Sequence, residues 1–131
     1  MEDLEQLLNG LFDEVYDFNH SDGFYRVKKD GKFNFADESG KVVFDAWFDD
    51  ADDIMFADVT FSDVERGGKH NMVIFDYKAT PRLLSDTWYD TPLHFVEDCE
   101  RIARTNGVWY VIDAENGKVI REATKDDLEG I

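Results

Sequence analysis

Three histidines, one cysteine and a knot of aspartates are the groups in this chain whose types permit chemistry. His94 and Cys99 stand five residues apart, and a thiol within reach of an imidazole is the pair that makes a nucleophile. No GxSxG, HExxH, CxxC or phosphate-loop spacing surrounds them, and His20 and His70 sit in no recognisable setting either. They read instead as a half-buried cysteine and loop histidines. Asp49, Asp50, Asp52 and Asp53 offer hard oxygen ligands of the kind Ca2+ or Mg2+ takes, yet the glycine and closing glutamate of an EF-hand loop are missing. A solvated acidic loop that also keeps a sheet edge from pairing accounts for them. No catalytic residue, cofactor or metal is expected.

Two aromatic pairs, Trp47-Phe48 and Trp88-Tyr89, have the large amphipathic rings that anchor ligands. Their recurrence at matching places in the chain argues for core packing first. Lys32, Lys41 and Lys69 lie near strand starts and are expected to pair with neighbouring carboxylates. A phosphate site built from them would work against the surrounding negative field.

That field is strong. The 131 residues carry a net charge of −16, while 43% of them are hydrophobic and 15% aromatic, too apolar for a disordered acidic tail. Residues 1–63 hold 17 Asp and Glu against 5 Lys and Arg, and residues 64–131 hold 13 against 9, so the first half is the more acidic. Such a surface disfavours nucleic acid and anionic membrane as partners and attracts a basic protein, although solubility alone would also account for it. One cysteine makes no internal disulfide, the N-terminal MEDLEQLL is acidic where a secretory signal is basic, and no apolar run nears the roughly 20 residues that span a bilayer. A cytoplasmic protein is expected.

The elements that position these groups follow from periodicity. Leu4, Leu7, Leu8, Leu11, Phe12 and Val15 fall on one helical face, predicting an amphipathic helix over 2–17 that packs on the protein's own sheet. After Gly23 the period becomes two. Asp30-Gly31 is a tight-turn dipeptide between Tyr25, Val27 and Phe33, Phe35, predicting a hairpin over 24–37, and Ser39-Gly40 leads into a third strand at Val42-Val43-Phe44. The plan recurs around Gly67-Gly68 and Asn106-Gly107, with return runs at Leu83-Leu84 and Val119-Ile120. Gly31, Gly68 and Gly107 lie 37 and 39 residues apart, so a period near 40 predicts repeats at 24–54, 55–98 and 99–121 in a single domain. The tail, 122–131, can begin a short helix at Thr124. The fold class expected is mainly β (α+β): three divergent hairpin repeats forming one antiparallel sheet or a partly open barrel behind the helix.

Aligned, the units KKDGKFNFADESGKVVFDAWFDD, ERGGKHNMVIFDYKATPRLLSDTWYDT and RTNGVWYVIDAENGKVI resemble the WG-repeat (KWG) family. The resemblance rests on Gly31, Lys32, Phe33, Phe35, Asp37, Gly40, Lys41, Val42 and Val43, on Gly68, Lys69, Met72, Leu83 and Leu84, and on Gly107, Trp109, Val111, Ile112, Asp113, Gly117, Lys118, Val119 and Ile120. The Trp-Gly dipeptide itself is absent: its glycine position holds Asn34, Asn71 and Tyr110, which marks a divergent subtype with Trp-Phe-Asp and Trp-Tyr-Asp corners. The resemblance implies β-rich repeats acting as binding or scaffold modules and supplies no catalytic residues.

The function expected is therefore non-enzymatic. Glu14, Asp17, Asp45, Phe48, Asp49, Asp50, Asp52, Asp53, Phe56 and Asp58 are the candidate partner-binding residues, fitting a basic groove on a protein. If that groove normally takes nucleic acid, the chain acts as a DNA mimic and competitive inhibitor of the phage anti-defence type. The alternative is a structural scaffold that binds its own kind or a peptide through a sheet edge or the helix stripe.

Overall fold

A computed structural model describes residues 4–16, 23–76 and 79–129. The chain opens with α1 (Leu4–Leu11) and a three-residue strand β1 (Glu14–Tyr16). Three hairpins follow: β2 (Phe24–Lys29) with β3 (Lys32–Asp37), β6 (Thr60–Arg66) with β7 (Lys69–Ile74), and β10 (Glu100–Thr105) with β11 (Val108–Asp113). The connectors contribute β4 (Asp50–Ala51), β5 (Met55–Phe56), β8 (Arg82–Leu83), β9 (His94–Glu97) and β12 (Val119–Glu122), and α2 (Lys125–Glu129) ends the described chain. The expected helix over 2–17 is thus shorter. Val15, on its apolar stripe, pairs instead with Val27 in β1–β2, because an apolar residue eleven positions after Leu4 suits a strand facing β2 equally well.

Each hairpin closes through two left-handed residues, as a turn matched to strand twist requires. Asp30 and Gly31, Gly67 and Gly68, and Asn106 and Gly107 all have φ between 53° and 80°. The expected hairpins therefore stand, in the same register: Lys29 faces Lys32, Arg66 faces Lys69 and Thr105 faces Val108.

The units do not merge into one sheet or close into a barrel. They form three antiparallel sheets, ordered β1-β2-β3, β4-β6-β7-β8 with β5 also on β6, and β12-β11-β10-β9. The return run differs from sheet to sheet. In the third unit it is a full strand, with Val119 to Glu122 pairing along β11. In the first, Val42-Val43-Phe44 forms no named strand and pairs with β3 at the Ala36–Val42 bridge, where the Val43 N–H donates to the Phe35 carbonyl at 2.8 Å, and in the second β8 is two residues long. Where the backbone ladder lapses, a buried asparagine replaces it: Asn34 Nδ2 donates to the Phe44 carbonyl and Asn71 Nδ2 to the Ser85 carbonyl, each at 2.8 Å. The third unit keeps its ladder and has Tyr110 at that position.

The cores lie between units. Leu8 of α1 and Phe12 just after it pack on Tyr25, Val27 and Ala36, so the helix covers the first hairpin as its apolar stripe predicts. Phe35, Phe48, Ile54, Val64 and Val73 join the first hairpin to the second, and Met72, Ile74, Leu84, Tyr89, Leu93, Ala103 and Ile112 join the second to the third. This is the arrangement of a stacked repeat, each unit burying its apolar face on its neighbour. No helix among the described residues is long and apolar enough to cross a membrane.

Candidate functional site

The aromatic-Asp corners are the first place where sequence pattern becomes geometry. Phe48 exchanges two backbone hydrogen bonds with Phe33, and Tyr89 does the same with His70, at 2.8 to 2.9 Å. The next residue crosses to the following hairpin: Asp49 N–H donates to the Glu65 carbonyl and Asp90 N–H to the Arg104 carbonyl, both at 2.8 Å. Their carboxylates reach back to Lys32 and Lys69, as expected for those lysines. The Lys32 hydrogen bond holds the Asp49 carboxyl below the usual range, and Lys69 does so for Asp90. Asp49 Oδ2 also accepts the Gly67 N–H at 2.7 Å, so this carboxylate braces the turn of the next unit. The corner is a strut between hairpins. Phe48 is fully buried and Tyr89 1% exposed, the core role read for the corner rings.

That placement sorts the predicted interface residues. Phe48 has no surface to offer a partner, which corrects its place among them. Asp58 is likewise removed: its side chain is 2% exposed and grips Arg101. Glu14 accepts from the Tyr16 hydroxyl and lies 3.7 Å from Lys28. Asp17 falls outside the described residues. Asp53 accepts a 2.7 Å bond from Arg26, whose other terminal nitrogen donates to the Ala51 carbonyl. These residues tie the first hairpin to the connector that follows it.

Three carboxylates stand outside the ion pairs. Asp45, Asp50 and Asp52 are exposed and have no ion-pair partner among the described residues. Asp52 is held by its backbone: its N–H donates to the Asp63 carbonyl at 2.8 Å and its carbonyl accepts from the Ser62 hydroxyl at 2.6 Å. Beside it, Met55 and Phe56 are 51% and 56% exposed, large apolar groups held outward by pairing with Phe61 and Thr60.

Sequence reasoning missed the groove behind this segment. Arg26, Asp52, Asp53, Met55, Phe61 and Asp63 line an open cleft of about 460 Å³. Asp63 Oδ1 is buried and accepts no hydrogen bond. Burial, then the charge of Asp52, pushes its carboxyl up to about 6, with Arg101 acting in the other direction. Asp63 reads in the sequence as one more acid on an alternating strand; only the fold of the connector over β6 buries it.

The remaining reactive groups carry little chemistry. The Cys99 thiol donates to Glu115 at 3.1 Å, and that bond, with burial and the surrounding acids, pushes it up to about 11, opposite to what a nucleophile needs. Among the described residues no group of three His, Cys, Asp or Glu is placed to hold a metal ion.

Three meandering units joined by aromatic-Asp struts define a β-repeat protein. A family model described as WG containing repeat matches residues 5–33, from α1 to the start of β3, which supports the resemblance of the chain to WG-repeat proteins. The matched segment places β1 within the repeat pattern, ahead of the hairpin where the sequence reading began it. No curated protein and no solved structure matches the chain.

Proposed function

We propose that the protein is a non-enzymatic, acid-presenting interaction module whose connector, residues 45–56, docks on a basic protein surface. The observation that carries this reading is the contrast within one acidic run. Asp49 and Asp53 are spent on Lys32 and Arg26, whereas Asp45, Asp50 and Asp52 stand exposed in the same run as the exposed Met55 and Phe56, and Asp52 lines one cleft with Met55. Charged groups supported by apolar anchors are what a tight electrostatic interface uses: close, desolvated charge pairs contribute about 1.5–7 kcal/mol, while rim charges mainly speed association. The net charge of −16 supplies long-range steering toward a cationic partner.

A protein groove that ordinarily takes a phosphate backbone presents the densest array of Lys and Arg, so the partner we infer is a nucleic-acid-binding protein, with this chain competing for its groove. The unpaired Cys99 fits a reducing, cytoplasmic setting.

The test is affinity capture with a salt gradient, comparing the wild type with Asp45→Asn/Asp50→Asn/Asp52→Asn. These positions leave the Lys32, Arg26 and Arg101 pairs intact. The expected result is one basic protein held by the wild type, lost with the triple variant and displaced by duplex DNA. Equal capture by both forms overturns the connector as the interface; capture that DNA does not displace overturns mimicry and leaves a basic-surface binder.

A further inference from the structure

We propose that β12 pairs antiparallel with β12 of a second copy of this chain, centred on Ile120, so that Lys118 of each chain faces Glu122 of the other. β12 is an outer edge of its sheet, and all four of its residues are exposed. Val119 and Ile120 are 51% and 48% exposed, and an accessible edge bearing large apolar side chains is a template for another strand. α2, which follows, buries none of its residues.

The repeat itself shows that this position expects a cover. Val42, Leu83 and Val119 are equivalent, because they pair with Ala36, Val73 and Ile112 at one place in the three hairpins. The next residues are Val43, Leu84 and Ile120. Val43 packs against the core between the first two units, and Leu84 is 3% exposed in the core between the second and third. Only Ile120 lacks a following unit among the described residues. The register shift between Val111 and Ile112 leaves Ile120 as the extra residue of β12, out of the ladder with β11.

Charge selects the occupant and the register. Reversing the run Lys118-Val119-Ile120-Arg121-Glu122 about Ile120 sets Lys118 opposite Glu122 at both ends and Ile120 opposite Ile120, as an isologous two-fold contact can use. Lys118 and Glu122 are exposed and have no ion-pair partner among the described residues, whereas Arg121 is held by Asp127 through both terminal nitrogens. Two cations and two anions are thus left to meet across the axis. The edge also lies in the half of the chain with 13 acids against 9 bases, so two copies meet there with less repulsion than through residues 1–63.

The experiment is sedimentation velocity on the full chain across a wide concentration range, with Lys118→Glu, Glu122→Lys and the exchanged pair. The wild type approaches twice the 15.2 kDa chain mass as concentration rises. Either single change, which sets like charges opposite each other, weakens dimerisation at least about tenfold, and the exchanged pair restores it. Circular dichroism confirms that the variants fold, since neither side chain is buried. A wild type that stays monomeric, a dimer indifferent to the single changes, or one the exchange fails to restore overturns the pairing. Capture of a basic protein through Asp45, Asp50 and Asp52 is unaffected in every case.

Discussion

Arg101 and Asp58 meet in a two-pronged ion pair, Nη1 to Oδ2 at 2.7 Å and Nη2 to Oδ1 at 2.8 Å, with both side chains 2% exposed. The backbone N–H groups of Cys99 and Val59 donate to the same carboxylate, and Phe61 and Phe95 rings each lie 5.1 Å from the guanidinium carbon. The pair pins the connector before β6 to the first strand of the third hairpin. A buried pair is costly to break because the survivor is an uncompensated charge, so Asp58→Ala should lose about 3–5 kcal/mol in urea unfolding. Replacing both residues, Asp58→Leu with Arg101→Met, should recover much of that loss. A single variant within about 1 kcal/mol of wild type would show that the pair is solvated.

Asp63 predicts the opposite response to charge removal. Its carboxyl is raised from 3.8 to about 6, so between those values the folded chain holds a proton that the unfolded chain has released. Its contribution to stability is therefore greatest below pH 3.8 and falls as pH rises through 6, above which the buried anion costs on the order of 3 kcal/mol. Asp63→Asn should raise the melting temperature at pH 8 and change it little near pH 4. Equal effects at both pH values would mean that Asp63 is ionised in the fold throughout.

The two aspartates show why some of this was legible in the sequence and some was not. The hairpins could be read because Asp30-Gly31, Gly67-Gly68 and Asn106-Gly107 are local signals for φ > 0, and a turn of that kind fixes register without distant help. The lysine pairs were foreseeable from the recurrence of Lys32 and Lys69 with the Asp49 and Asp90 corners. What escaped was which acid each cation takes and which acids are left over. Asp58 and Arg101 are 43 residues apart, and no local pattern marks Asp58 as buried while Asp52 is exposed. The helix was overextended for a related reason: Val15 continues the apolar stripe of α1, and only its pairing with Val27 shows that it belongs to a strand.

The asparagines that replace a lapsed ladder yield a paired prediction. Asn34 and Asn71 are 0% and 1% exposed, and each also accepts the N–H of the following residue, Phe35 and Met72, at 2.8 Å. Alanine at either position strands a buried carbonyl and an N–H, a loss of about 1–3 kcal/mol per unsatisfied group. Aspartate should do no better, because it cannot donate to the Phe44 or Ser85 carbonyl. Tyr110→Asn should bring no compensating gain, since the return strand there already bonds to β11. Chemical unfolding of the five variants checks this, and a harmless Asn71→Ala would show that the second-unit return run holds without its clamp.

Gly117 offers the sharpest contrast between two ways a glycine can be required. Its φ is +75°, and a Cβ there would run into the Leu84 carbonyl, with the Leu84 carbon 2.8 Å away and Ser85 Cα 3.2 Å away. Gly68 has almost the same φ, +77°, with nothing within 4 Å of a Cβ. Gly68→Ala therefore meets only the backbone strain of a left-handed residue, about 1–2 kcal/mol. Gly117→Ala adds a collision with backbone between the second and third units, which rigid carbonyls cannot relieve as a flexible side chain would. It should be the more destabilising by a clear margin, and it should loosen the core around Leu84, Tyr89 and Ile112. Hydrogen exchange at Ile112 reads that loosening directly: faster exchange in Gly117→Ala than in Gly68→Ala at matched global stability locates the damage between units, and equal exchange would mean that the contact is dispensable.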